Sequence, residues 1–332
     1  VGFWYRGSML ERLQVWIYLA AILMGLVLAG LWPGFGEGLT AWVWAVLGLL
    51  LFVTFAQIPW EAIRLAFNDR RFLAAALVGN FVLVPLVLLA LLPLAPDDPA
   101  IRLGILLVLL MPCTDWFITF SRQGGGDGAR AAAFTPVSLA AQFLMLPVYL
   151  TIILGPGEAL GLMSATVFAA AALLIGLPLL AAVLLEQALR MRGRVEVWQN
   201  RFAIATVPLL ALVVGLIALV EAPLVFAGGR DLLGVIPVYA LYLLGAAALA
   251  WGLARAFALP GEQGRTLAFS LGTRNSFVVL PVALALPEVL HAAVMVIVLQ
   301  SLVELFGMLV YLRWMPRLFP PAQGCSAQSG SS

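Results

Sequence analysis

Pro112-Cys113-Thr114-Asp115-Trp116 and Gly272-Thr273-Arg274-Asn275-Ser276 decide how this chain folds, because each is a polar stretch set inside a long apolar run. Proline removes a backbone donor and clashes with the preceding turn, and glycine tolerates unwound geometry. Both stretches therefore read as breaks in helices. A break frees backbone amides and carbonyls, which inside a bilayer must be satisfied by protein or by a bound solute. Thr114 and Arg274 stand 160 positions apart, so the breaks fall at matching places in two halves of the chain. That pattern is a pointer to a transport site.

The surroundings of the two breaks are lipid-facing by composition. A soluble domain carries about 25% charged residues, whereas this chain of 332 residues is 10% charged and 64% hydrophobic. It cannot cover itself with polar surface. Ten apolar runs are legible, at 13–32, 41–60, 72–94, 101–120, 134–154, 160–185, 203–220, 234–252, 265–286 and 292–312, most of them near the roughly 20 residues that a helix needs to cross the hydrocarbon layer. The predicted fold is an all-α integral membrane protein of ten transmembrane helices, with broken helices 4 and 9 crossing at mid-membrane. The loops are too short for a separate soluble domain, and the first run lacks the pattern of a cleaved signal peptide.

Basic residues near helix ends prefer the cytoplasmic side, which gives an independent check. There is no Lys. Of the 18 basic residues, 15 fall in the N-terminus, the even-numbered loops or the C-terminus: Arg6, Arg12, Arg64, Arg70, Arg71, Arg122, Arg130, Arg190, Arg192, Arg194, Arg201, Arg255, Arg265, Arg313 and Arg317. Arg102 and Arg230 lie at the odd-numbered loops, and Arg274 lies inside span 9. A wrong helix count would scramble this asymmetry. The expectation is a multi-pass protein of the inner membrane with both termini cytoplasmic. The formal charge of +2 then reflects orientation in the bilayer and implies no nucleic-acid partner.

Five spans per half force the second copy to be inserted upside down. The expected organisation is an N-terminal cytoplasmic segment (1–12), a first five-helix repeat (13–154), an inverted second repeat (155–319) and a disordered Pro-, Gly- and Ser-rich tail (320–332). The outer loop near Gly155 to Glu158 divides the halves, and Gln142 and Gln300 stand 158 apart. Met9 with Leu10-Glu11-Arg12-Leu13 reads as a natural start, leaving residues 1–8 as an upstream extension. Cys325 reads as an inert tail thiol, so no disulfide is expected in a reducing cytosol.

Three charges stay at membrane depth, Asp115, Arg274 and Glu304, each costing at least about 2.5 kcal/mol on insertion scales. Asp115 and Arg274 are a natural ion pair if the broken helices cross. The plainer alternative is a purely structural salt bridge. Glu304 shares a helical stripe with Gln300, Gly307 and Tyr311 and suits a carboxyl that loads and releases a proton; the alternative is a protonated Glu bonded to a neighbouring helix. Cys113 follows the proline break. Free Cys is usually a small buried hydrophobe, but beside Thr114 and Asp115 it also suits a soft, thiophilic centre. Thr135, Ser138, Gln142, Met145 and Tyr149 form a polar stripe on span 5 that reads as cavity-lining. Asn80 with Pro85, and Gln57 with Pro59, read as kinks and packing sites.

Enzyme classes find little footing. The single histidine, His291, precludes a His-based dyad or multi-histidine metal site. There is no G-x-S-x-G, no P-loop and no Asp-rich diphosphate motif, so no cofactor and no obligatory ATPase partner are expected.

These motifs resemble the arsenical-resistance permeases, within the superfamily that also holds the bile acid:sodium symporters. The resemblance runs from Leu10-Glu11-Arg12-Leu13 to Pro316 and is most specific at the two polar stretches and at Leu302-Val303-Glu304. It implies ten spans in two inverted repeats and export of arsenite, and of antimonite beside it, driven by the proton gradient. It implies Cys113 as the arsenite ligand and Glu304 as the proton-coupling group. Thr114, Asp115, Arg274, Asn275 and Ser276 then bind substrate, while Ser138, Gln142 and Gln300 line the cavity. Sodium-coupled relatives carry a pattern like E-x-G-x-Q-N-S in span 9, and here the Glu and Gln positions read Ser270 and Arg274. A guanidinium charged at any physiological pH would replace the ion, so no sodium coupling is expected. The second reading is a sodium- or proton-coupled carrier of a small organic anion, with Arg274 as its carboxylate partner. Self-association stays open under either reading.

Overall fold

In a computed structural model of the protein, the described residues are 9–58, 66–114, 116–155, 169 and 172–320. The expected extension at 1–8, the kink at Pro59, the tail with Cys325, the loop after Gly155 and the side chain of Asp115 lie outside them. Among the described residues the regular structure is helical: α1 (Met9–Leu31), α2 (Thr40–Phe55), α3 (Arg70–Val78), α4 (Val84–Leu91), α5 (Pro99–Leu109), α6 (Trp116–Gln123), α7 (Gly128–Leu154), α8 (Leu177–Met191), α9 (Val195–Val220), α10 (Ala222–Leu233), α11 (Ile236–Ala256), α12 (Gly261–Gly272), α13 (Ser276–Leu284) and α14 (Ala292–Leu318). Six helical stretches there are long and apolar enough to cross a membrane, and three shorter apolar helices accompany them. The protein is a membrane-embedded, multi-pass helical protein.

Local sequence explains where several helices begin. Asp98 caps α5 by accepting from the backbone N–H groups of Ala100 (2.8 Å) and Ile101 (3.0 Å), with Pro99 at the first helical position. Asp69 caps α3 through Phe72 N–H, and Asp127 caps α7 through Arg130 N–H. Between α3 and α4 the chain widens into a π-helical turn, Gly79–Leu83, and residues 70–94 run as one helical stretch long and apolar enough to cross a membrane. The stretch after α9, left between the seventh and eighth apolar runs of the sequence, forms the short helix α10.

The helices pack in two sets. In one, α1 lies along α9, which also packs on α2, while α8 covers α2. Gly25 and Gly215 permit the first contact: a Cβ on Gly25 would lie 2.4 Å from the Gly215 carbonyl oxygen. Lipid tails give no hydrophobic drive for helices to associate, so close backbone approach through small residues does the holding. The other set surrounds α12, buried from Gln263 through Gly272, with α11, α14, α6, α3 and α7 as neighbours.

At one end of this second set the arginines have structural partners. Arg130 Nε donates to Asp69 Oδ2 at 2.7 Å and its Nη1 to Asp127, and Gln263 Nε2 donates to the same Asp69 oxygen at 2.9 Å. The Thr266 hydroxyl accepts from Asp127 N–H at 2.7 Å, and Arg265 donates to the carbonyls of Gly125 and Phe319. This knot ties α3, the α6–α7 turn, α12 and the end of α14 together.

Candidate functional site

Both polar stretches are unwound. Residues 110–114 follow the end of α5 without helical winding, and 273–275 separate α12 from α13. The breaks meet as a two-residue fragment of antiparallel sheet pairing Pro112 with Arg274. Cys113 N–H donates to the Thr273 carbonyl at 3.3 Å and Asn275 N–H to the Met111 carbonyl at 2.7 Å. Each break thereby satisfies part of the backbone that the other frees, which makes unwound chain tolerable at this depth. Side chains extend the seam: Asn275 Nδ2 donates to Thr114 Oγ1 at 3.0 Å, while Asn275 Oδ1 caps α13 by accepting from Val278 N–H.

Arg274 is fully buried. Its Nη2 donates to Asn80 Oδ1 (2.7 Å) and to the Ser270 and Leu271 carbonyls (2.9 Å each), and its Nη1 donates to the Leu109 carbonyl (3.3 Å). The Tyr242 ring lies 5.6 Å from the guanidinium carbon. The three carbonyls belong to the last turns of α5 and α12, where helix dipoles are negative and carbonyls lack intrahelical partners. A fixed cation fits there. Asn80, read from the sequence as a kink and packing residue, is thus a direct partner of the buried guanidinium. It also lies in the π turn and donates to the Ala76 carbonyl and Ser270 Oγ. The missed signal was an Asn in an apolar run immediately after a glycine.

Glu304 sits at the opposite kind of helix end. Its Oε2 accepts from the Arg274 backbone N–H at 2.7 Å, just before α13 begins, and from Gln300 Nε2 at 2.6 Å. Gln300 Oε1 in turn accepts from Ser276 Oγ at 2.7 Å. A carboxylate before a helix N-terminus meets the positive end of the dipole. Ser276, Gln300, Glu304 and Arg274 therefore form one continuous chain of hydrogen bonds.

Of the residues singled out by sequence, Cys113, Thr114, Arg274, Asn275, Ser276, Gln300 and Glu304 meet at this seam, all of them buried. Ser138 and Gln142 are buried on α7 at helical spacing, and among the described residues Ser138 Oγ and both amide atoms of Gln142 have no hydrogen-bond partner. They are not joined to the seam by hydrogen bonds. Leaving such groups dry costs about 1–3 kcal/mol each, which water or a solute would offset. Thr135 bonds to its own helix, and Tyr149 OH donates to the Phe81 carbonyl at 2.6 Å. His291 lies elsewhere, 3.8 Å from Glu221.

The family model of the sodium bile acid symporter family matches residues 44–233, more than half of the chain. The chain belongs to the sodium bile acid symporter family. It is a membrane transport protein in that family. No curated protein matches it. The match includes the first break, Pro112 to Trp116, and the α7 stripe, and ends before Arg274 and Glu304. Among the described residues no group of three or more His, Cys, Asp or Glu could hold a metal ion.

Proposed function

We propose that this symporter-family protein exports arsenite, and antimonite beside it, from the cytoplasm by proton antiport. The observation that carries the reading is the seam itself, where the Cys113 turn and the Glu304 carboxylate bond to the consecutive residues Thr273 and Arg274. Trivalent arsenic exchanges a hydroxyl for a thiolate: the Cys113 S–H proton and one arsenic hydroxyl leave as water while the S–As bond forms. On release a water adds back, the S–As bond breaks and the thiol regains its proton. One soft ligand holds the cargo loosely, as transport requires. Glu304 takes a proton from the outer side on the return stroke and gives it up inside.

Arg274 supports the absence of sodium coupling. Its guanidinium occupies the carbonyl cage at the ends of α5 and α12 with a permanent charge, so a free cation has neither room nor electrostatic reason to enter. The proposed architecture is ten crossings in two inverted repeats in the inner membrane, both termini cytoplasmic. The like succession of helix, unwound stretch and helix at α5–α6 and α12–α13 supports it. Asp115 enters this reading as a further substrate-binding residue.

The family's description favours a second reading, a coupled carrier of small organic anions. The engagement of Arg274 with Asn80 and three carbonyls weighs against it, because a substrate carboxylate would have to displace these bonds. Arsenite uptake into everted vesicles, with sodium replaced by choline, separates the readings. Proton-driven, sodium-indifferent uptake is expected; absence of arsenite uptake together with sodium-dependent anion transport would reverse the assignment.

A further inference from the structure

The transport seam leaves unexplained an open groove of about 760 Å³ on the outer face of the second helix set, between α11 and α14. Its walls are apolar, with Ala240, Leu244 and Ala247 on one side and Phe306 and Val310 on the other. The two helices run in the same direction, since Tyr239 OH donates to the Val296 carbonyl at 3.1 Å and Tyr311 OH, further along, to the Leu243 carbonyl. One mouth of the groove is therefore at the C-terminal end of α14, where Trp314 and Arg317 line it. Nearby in sequence, Arg255 stacks on Trp251, 3.9 Å from the ring centroid, in the last turns of α11. Tryptophan and arginine together at one end mark the level of lipid headgroups.

We propose that this groove is a binding site for an anionic membrane phospholipid, with an acyl chain between α11 and α14 and the phosphate at Arg317. The walls belong to apolar helices, so the occupant comes from the bilayer. Among the described residues the lining carries one guanidinium and no carboxylate, so the headgroup is an anion. The volume lies within the roughly 300–1,000 Å³ of ordinary small-molecule sites. The site also touches the machinery, because Tyr311 at its floor packs on the break: a Cβ on Gly272 would lie 2.7 Å from the Tyr311 ring, and the Phe269 and Tyr311 rings are 6.1 Å apart. A lipid seated there buttresses the end of α12.

The test uses the full-length protein, purified in mild detergent, with phosphatidylglycerol and phosphatidylcholine added as probes, read by native mass spectrometry and thermal melting. Phosphatidylglycerol is expected to be retained about fivefold over phosphatidylcholine, the scale of one basic residue at a membrane surface, and to raise the melting temperature. Arg317→Gln should remove the preference, and Ala247→Trp should lower retention of both lipids. Arg192→Gln, at the end of α8 away from the groove, should leave both unchanged. Should Ala247→Trp fail to accumulate, Ala240→Trp, at an exposed position of the same wall, serves instead. Equal retention of the two lipids by the wild type, an equal effect of Arg192→Gln and Arg317→Gln, or a lipid-free dimer cross-linked through Ala240→Cys would each overturn the proposal.

Discussion

Arg274 and Glu304 meet through a backbone amide: the Arg274 N–H donates to Glu304 Oε2 at 2.7 Å, while the Arg274 guanidinium points away to Asn80 and to the carbonyls that end α5 and α12. The cation rests on helix C-termini and the carboxylate faces a helix N-terminus. Each charge thus has an electrostatic partner in the backbone.

Glu304→Gln keeps an oxygen able to accept from the Arg274 amide and from Gln300, so the fold is expected to survive. A side chain that cannot lose a proton should nevertheless stop proton-coupled transport. The check is arsenite-dependent proton flux in everted vesicles, measured beside membrane abundance. Wild-type flux would remove Glu304 from the coupling role.

Cys113→Ser preserves size and hydrogen bonding, and the Cys113 backbone N–H that bonds to Thr273 is untouched. Arsenite export should fall to background with unchanged protein levels, because an alcohol oxygen is a poor ligand for trivalent arsenic. A variant that still confers growth on arsenite would make Cys113 a packing residue.

Asn80→Ala removes one acceptor from a buried guanidinium and also leaves Ser270 Oγ without its Asn80 donor. The expected loss is about 1–3 kcal/mol, towards the upper end because the stranded donor is charged. Thermal melting in detergent reads it directly. In the Arg274→Met background the same change should cost less, since the charge it would strand is gone; strictly additive losses would mean that the contact carries no weight.

Asp69→Asn tests the knot at the ends of α3, α7 and α12. Burial alone would raise the Asp69 carboxyl, but the Phe72 amide and the Arg130 guanidinium outweigh it and hold the group below the usual carboxylate range. A depressed folded-state value gives stability that is fully present above the unfolded pKa and is lost as pH falls through the folded one. The variant should therefore melt below the wild type at neutral pH, with the gap closing as the medium is acidified below about pH 4. A gap that is constant with pH would assign the effect to packing.

Gly25→Ala should force α1 and α9 apart, because its new Cβ would meet the Gly215 carbonyl oxygen. Overpacking of this kind costs about 1–3 kcal/mol. Membrane abundance and melting temperature should both drop; an unchanged protein would mean that the helices slide past each other at no cost.

The breaks at Pro112 and Gly272 were legible because proline, glycine and polar side chains at membrane depth are local signals that no packing can disguise. The Ser276, Gln300 and Glu304 relay was half legible: helical spacing puts Gln300 beside Glu304, but only the fold brings Ser276 to them. Asn80 was legible as a kink, and it does lie in the π turn, but its partners Ser270 and Arg274 lie about 190 residues away, and nothing in its own segment announces them. Likewise Arg130 and Arg265 served as orientation markers in the sequence, yet their partners Asp69 and the Phe319 carbonyl are set by tertiary structure. Helix α10 escaped notice because Gly228-Gly229-Arg230-Asp231 reads as loop.

The π-helical turn at Gly79–Leu83 bears on how this gene can change length. Its wide winding holds one residue more than an ordinary turn, so deleting one residue there would restore ordinary winding and leave the chain before it and the chain after it facing as they do now. Phe72, Ala75 and Ala76 on one side and Val84 and Leu88 on the other are buried; the step from Ala76 to Val84 would sit about 80° out of line in ordinary winding, and one residue fewer would bring it within about 20°. A single-codon gap that spares Asn80 can therefore be absorbed in this stretch, whereas in an ordinarily wound buried helix it would turn one flank away from its neighbours, and the gene carries at this point one spare residue of length.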